Sequence, residues 1–300
     1  MQQNGSFPTS RRRFLGNTVG AAASLTILSG FVKSRGAGAN GKLNIAFVGA
    51  GGRAAANIGG CAAAGQNIHA LCDVDSARAA ASFKKYPEAK IYTDWREMLE
   101  KEGDKIDAVV VSTPDHLHAV ATMAALKMGK HVYVEKPLTL TISEARALHE
   151  AARKAGVCTQ MGNTGHASEG SRLINEYVQS GAIGEVSEVY CRTNRPVWPQ
   201  GEARPAEATP PESLDWAQWI GPAPMRPFGE GYHPFKWRGW WDFGTGALGD
   251  MACHTCNLPF MALNMRDPVA VEAETAGHNG DSYPVWSQIT FDFPELDGRA

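Results

Sequence analysis

The sequence predicts an α/β chain whose first half is a doubly wound parallel sheet. Three observations point there. An apolar run rich in strand formers, residues 43–48, meets a glycine loop and then an alanine-rich helical stretch. Strand-like and helix-like segments then alternate as far as Ala155-Gly156, as parallel strands joined by helical crossovers do. Residues 109–111, Val-Val-Val, are apolar without interruption, which suits a strand covered on both faces.

The first 39 residues differ from the rest. Arginines at 11, 12 and 13 precede a weakly apolar run from Phe14 to Val32 and then Ala37-Gly38-Ala39, the order of a secretion signal. Ser10-Arg11-Arg12-Arg13-Phe14-Leu15 also resembles the twin-arginine (Tat) export signal, in which two arginines precede x-Phe-Leu. The expectation is an exported, periplasmic protein, folded before export, with no membrane span once the signal is removed. The alternative is an uncleaved N-terminal anchor. At 300 residues the chain is long enough for two domains, and a net charge of −2 argues against a nucleic-acid surface. No repeat of fixed period and no heptad pattern is present.

Residues 40–162 carry the dinucleotide pattern. Gly49-Ala50-Gly51-Gly52-Arg53-Ala54 is G-x-G-x-x-A between a strand and a helix, the context that fingerprint requires. Gly49 permits the tight turn, Gly51 lets a pyrophosphate approach the backbone, and Ala54 lets the helix pack on the sheet. Gly52 and Arg53 open a helix whose N-terminal N–H groups face the phosphates. The next strand ends in Asp73 and Asp75, where a carboxylate accepts hydrogen bonds from ribose hydroxyls and repels a 2′-phosphate. NAD is therefore favoured, with NADP left open by Arg53 and Arg78. A helix over 76–86, a strand over 90–92 and a helix over 95–102 follow. Carboxyl ends of parallel strands line the ligand crevice. Thr113, Pro114, Asp115 and His118 after one strand, and Glu135 and Lys136 after the next (131–134), are thus expected against the cofactor. His116 reads as ordinary surface.

Residues 163–300 form the second region. They hold about three strand candidates, 186–194, 269–275 and 285–293. Trp198, Trp216, Trp219, Trp237, Trp240 and Trp241 crowd into an insertion at about 195–241 that has little regular structure. Most of these rings are expected to form the insertion's own core, with one or two against the C–H face of a sugar. Asn163 and His166, with Tyr232, His233, Lys236, Arg238 and Trp240 in the insertion, are the expected substrate contacts.

Gly49-x-Gly51-x-x-Ala54, Cys72-Asp73-Val74-Asp75, the run from Ser112 to Ala119, Glu135-Lys136-Pro137-Leu138 and Asp250-x-x-x-His254 stand in that order. Together they make the chain resemble the Gfo/Idh/MocA family (glucose–fructose oxidoreductase, inositol dehydrogenase, MocA-like). The resemblance implies an N-terminal Rossmann domain and a C-terminal α/β domain with a large, mostly antiparallel sheet. It also implies a nicotinamide cofactor, a sugar, cyclitol or polyol substrate, and homo-oligomers formed through the sheet. Three strand candidates are few for such a sheet, so the chain is expected to be truncated at residue 300.

Lys136 stands where an ammonium would stabilise the oxyanion of a substrate hydroxyl losing its proton. Asp250 and His254, four apart, share one face of a helix. The resemblance gives His254 the proton and leaves Asp250 to contact substrate or orient the imidazole. Cys253-x-x-Cys256 has no second ligand pair, and Asn257 stands where haem attachment needs His. No metal site is expected, and the six cysteines are read as mostly free, buried thiols. The expected function is an exported oxidoreductase acting on a hydroxyl of a sugar or polyol with tightly held NAD. One alternative is a glycosidase that oxidises transiently, eliminates a substituent and reduces again. The other is a non-catalytic sugar or cofactor binding protein.

Overall fold

The apolar runs of the first half become six parallel strands of one sheet. The computed structural model describes residues 41–295, so the export signal read at 1–39 lies outside the described residues. The strands are β1 (Asn44–Val48), β2 (Asn67–Cys72), β3 (Lys90–Tyr92), β4 (Ala108–Val111), β5 (His131–Glu135) and β6 (Thr159–Gly162). Their order is β3-β2-β1-β4-β5-β6, with every pair parallel. Strand order reverses between β1 and β4, the switch point at which such sheets bind ligands.

Alternation along the strands divides the core. Val48, Val109, Val111, Val132 and Val134 pack on one face with Leu126 and Leu148. Phe47, Leu71 and Val110 pack on the other with Ile58. Each such side chain contributes roughly 1.5–3 kcal/mol through burial. The crossovers are α1 (Arg53–Ala63), α2 (Ser76–Lys85), α3 (Trp95–Glu102), α4 (Asp115–Lys127) and α5 (Ile142–Ala155). Asp75 and Asp94 cap α2 and α3, while Thr141 and Glu144 form a capping box on α5. Gly156, at φ 65°, takes the left-handed turn that ends α5.

The second half holds α6 (Glu169–Gln179), α7 (Trp216–Ile220), α8 (Gly246–Thr255), α9 (Asn257–Ala262) and the antiparallel pair β7 (Ala270–Ala276) and β8 (Trp286–Asp292). Residues 186–194 run without helix or ladder, contrary to the strand expected there. Strand propensity without a partner to pair with does not make a strand.

The insertion closes on an aromatic cluster of Trp219, Phe228, Tyr232, Trp237, Trp240 and Phe243. Trp216 stacks on Trp219 at 4.7 Å and on Tyr232 at 5.9 Å. His116 docks this cluster onto α4. It is fully buried rather than on the surface, with Nε2 2.9 Å from the Trp219 carbonyl and Nδ1 3.2 Å from that of Phe243. A second clasp joins the insertion to the end of β2: Ser213 Oγ donates to Asp75 at 2.9 Å, and His233 Nε2 lies 2.8 Å from the same carboxylate. All six cysteines are free thiols. Only Cys72 is buried, and Cys158 and Cys191 are exposed, so the thiols are less enclosed than the sequence suggested.

Candidate active site

The glycine loop turns where β1 meets α1, with the Ser112 carbonyl and Arg78 packed close against it. Gly49 sits at φ 95°, and a Cβ there would come within 2.8 Å of the Ser112 carbonyl. A Cβ on Gly51 would meet the Arg78 backbone oxygen at 2.9 Å, and one on Gly52 would strike the Arg78 guanidinium. Helix α1 opens at Gly52 with no side-chain cap, unlike α2, α3 and α5, and with no acidic residue in its first turn. Its first N–H groups are left without a side-chain acceptor. Across the switch point, Thr113 Oγ1 is buried without a hydrogen-bond partner. A glycine turn, an uncapped helix start and an orphaned hydroxyl fit a dinucleotide.

Other residues expected at the cofactor take part through the scaffold. Asp73 Oδ2 accepts from the Ala50 and Gly51 N–H groups at 2.8 and 2.9 Å, holding the loop in place. Glu135 accepts from Arg53 Nε at 3.1 Å and Asn57 Nδ2 at 2.8 Å, tying α1 to the end of β5. Pro114 precedes the first residue of α4. His118 is buried, with its ring nitrogens 2.7 Å from the Pro137 carbonyl and 2.9 Å from that of Thr113. It braces the two strand-end turns and has no ring nitrogen left for a ligand.

Lys136, at the carboxyl end of β5, meets α8 there. Its Nζ donates to Asp250 Oδ1 at 2.7 Å and to the Asp250 carbonyl at 2.9 Å. Arg238 Nε donates to the same Oδ1 at 3.1 Å, and Arg195 Nη1 lies 3.7 Å from Oδ2. The carboxylate is almost wholly enclosed by these cations. It does not hydrogen-bond His254, so Asp250 positions Lys136 rather than the imidazole. A local i,i+4 carboxylate–imidazole pair is weaker than contact with an ammonium at low exposure.

His254, one turn on, makes no side-chain hydrogen bond among the described residues. Burial first, then the Lys136 ammonium, pushes its imidazole below the usual histidine range. It is therefore neutral at pH 7, with a nitrogen free to take a proton. It lines a cavity of about 520 Å³ with Asn163, Thr164, Ser171, Arg192 and Asn257. Asn163 Nδ2 donates to the Cys253 carbonyl at 2.5 Å while its Oδ1 is buried and unpaired, and His166 Nδ1 lies 2.8 Å from Asn257 Oδ1. Both reach the α8–α9 junction.

Not every expected substrate contact converges here. Tyr232 and Trp240 are buried in the aromatic cluster, and Trp240 Nε1 donates to the Gly231 carbonyl at 2.6 Å. Lys236 is exposed. Arg195 joins the site although nothing local in the sequence marks it. Cys253 Sγ bonds back to the Gly249 carbonyl at 3.6 Å, a packing contact within α8. Among the described residues no three His, Cys, Asp or Glu side chains cluster for a metal ion, and no helix is long and apolar enough to cross a membrane.

Two family models match the chain. One, described as "Oxidoreductase family, NAD-binding Rossmann fold", covers residues 43–163, and the other, "Oxidoreductase family, C-terminal alpha/beta domain", covers 172–298. The chain is 31% identical over 130 residues to inositol 2-dehydrogenase of Salmonella typhimurium, 43% of this chain and 38% of that protein. It is 32% identical over 155 residues to an alpha-N-acetylgalactosaminidase of Shewanella oneidensis, 48% of this chain and 33% of that protein. These matches span well under half the length of either relative. Among solved structures, an NAD binding oxidoreductase from Klebsiella pneumoniae superposes with a TM-score of 0.58 at 26% identity, over 84% of this chain and 64% of that one.

Proposed function

The chain belongs to the Gfo/Idh/MocA oxidoreductase family, and from that premise we propose that it oxidises a hydroxyl of a sugar or related polyol with NAD. One observation carries the reading. Lys136 and Asp250 meet at 2.7 Å across the strand-end crevice, with the neutral, unpaired His254 one helical turn away. An acid–base pair for a secondary alcohol needs a proton acceptor and a fixed positive charge at the oxygen. His254 accepts the hydroxyl proton, and the Lys136 ammonium steadies the alkoxide. Asp250 aims Lys136 through the 2.7 Å contact. When bound, NAD supplies the hydride acceptor. Gly49, Gly51 and the start of α1 would hold its pyrophosphate, with Thr113 beside it. Asp73 at the end of β2 favours NAD, since a second anion there would meet its carboxylate.

The test is single-turnover reduction of bound NAD by a panel of sugars and cyclitols. Lys136→Ala and His254→Ala are each expected to slow it about 10²–10⁴-fold, the usual range for loss of an acid–base group. Full activity in either variant sinks the assignment.

The likeness to the galactosaminidase favours a second reading, in which the same groups serve a redox-neutral glycosidase. It predicts release of a sugar substituent with no net NADH. We further hold that the chain is exported by the twin-arginine route and retains its cofactor, because free NAD is scarce outside the cytoplasm. Cell fractionation that leaves the protein in the cytoplasm counts against that.

A further inference from the structure

Resting on the sugar-oxidoreductase reading, we propose that the substrate of this site carries a negative charge, a carboxylate or a phosphate ester, bound by Arg195 at the edge of the Lys136–Asp250 pair. Three cations converge on one carboxylate. Lys136 and Arg238 share Asp250 Oδ1, and Arg195 stands 3.7 Å from Oδ2, beyond hydrogen-bond reach. Asp115 is a second carboxyl group that feels Lys136 and Arg238, and Glu135, whose charge reaches His254, is already paired with Arg53 at 3.1 Å. Burial raises Asp115 to about 6, and it already accepts from Thr245 Oγ1 at 2.8 Å. Counted as fully ionised, it still leaves one positive charge in excess.

Arg195 is the cation with capacity to spare. Its side chain is 42% exposed, against 14% for Lys136 and 22% for Arg238. Among the described residues its guanidinium makes no hydrogen bond. It is nevertheless held: Arg195 and Arg238 both lie 5.8 Å from the ring of Trp198. A guanidinium fixed by an aromatic face, with its fork of donors unspent, is suited to an incoming carboxylate or phosphate.

The cavity beside His254 adds an independent observation. Its lining includes Arg192 and no Asp or Glu, while Asn163, Thr164, Ser171 and Asn257 offer partners for hydroxyls. A neutral sugar would satisfy the hydroxyl partners and leave the surplus cations unmatched. An anionic sugar satisfies both.

Binding to the purified, cofactor-loaded protein tests this. Calorimetry would compare D-glucuronate, D-galacturonate, glucose 6-phosphate and galactose 6-phosphate with D-glucose and D-galactose, at low ionic strength. At least one anion is expected to bind about tenfold or more tighter than its neutral parent, a charge-assisted hydrogen bond's usual worth. Whether the uronates or the phosphates win identifies the group. Arg195→Gln is expected to bring that ratio close to one. A merely structural Arg195 would weaken neutral and charged sugars alike, and that result overturns the proposal. So does an absence of charge preference, or of binding by any of the six. Charge-selective binding without hydride transfer would instead overturn the redox reading and leave the charge preference standing.

Discussion

His254 can take a proton only while its imidazole is neutral, so the pH at which it charges sets the acid limit of activity. Burial and the Lys136 ammonium both disfavour the imidazolium. Its folded pKa lies below the ordinary value of about 6.5, and the reaction should keep its full rate through neutral pH and fall only at more acidic pH. Lys136→Met removes one of the three depressing causes, burial and Arg195 being the others, so the His254 titration should move up toward the ordinary value. Nuclear magnetic resonance of the imidazole ring protons, from about pH 4.5 to 8, reads this without requiring activity. An unshifted titration in the variant would show that Lys136 does not act on His254. At this scale the sequence marks Lys136, Asp250 and His254 through their motif. It does not show that Asp250 turns to Lys136, because that contact joins residues 114 apart. Arg195 was missed for the same reason: it reaches the site through a long-range approach that no local spacing encodes.

At the scale of elements, the strand ends arrive where alternation of strands and helices places them. The strand over 90–92 and the helix over 95–102 appear with the bounds read from sequence. Elements whose apolar pattern and caps agree are legible locally. The insertion is not, because its aromatic cluster is irregular chain held by rings and buried polar anchors. His116 is the anchor on α4. Burial outweighs its two carbonyl partners and lowers it to about 4. The unfolded chain therefore binds the proton more readily, near pH 6.5. Stability is lost as pH falls from about 6.5 toward 4, by on the order of 3 kcal/mol, and no further below that. His116→Phe should cost about 1–3 kcal/mol at pH 7.5, since the neutral ring's single N–H is lost from between the Trp219 and Phe243 carbonyls, while the backbone N–H of residue 116 still reaches the Phe243 carbonyl at 3.3 Å. The same variant should flatten the acid decline. Urea unfolding at pH 7.5 and pH 5 measures both, and parallel declines in the two proteins would exclude His116 as the sensor.

At the scale of the whole molecule, the second sheet is the part least self-sufficient. Two strands alone are marginal in water, and β7 is exposed along its whole length. The register pairs Val271 with Phe291 and Ala273 with Ile289, which gives the ladder one apolar face. Glu272, Glu274, Gln288 and Asp292 occupy the other. Val271 and Phe291 remain 57% and 44% exposed, so Phe293, which stacks on Phe291, does not cover that face. An amphipathic sheet with an exposed apolar face calls for a partner surface, and a second copy of the chain supplies the same face by symmetry. The protein is therefore expected to self-associate through β7 and β8. Light scattering on the purified protein should give a dimer or larger. Val271→Lys puts a charge on that face opposite Phe291 and should shift the population toward monomer, leaving Lys136 and His254 untouched. A monomer at micromolar concentration, or an assembly indifferent to Val271→Lys, would remove the sheet from consideration as the interface.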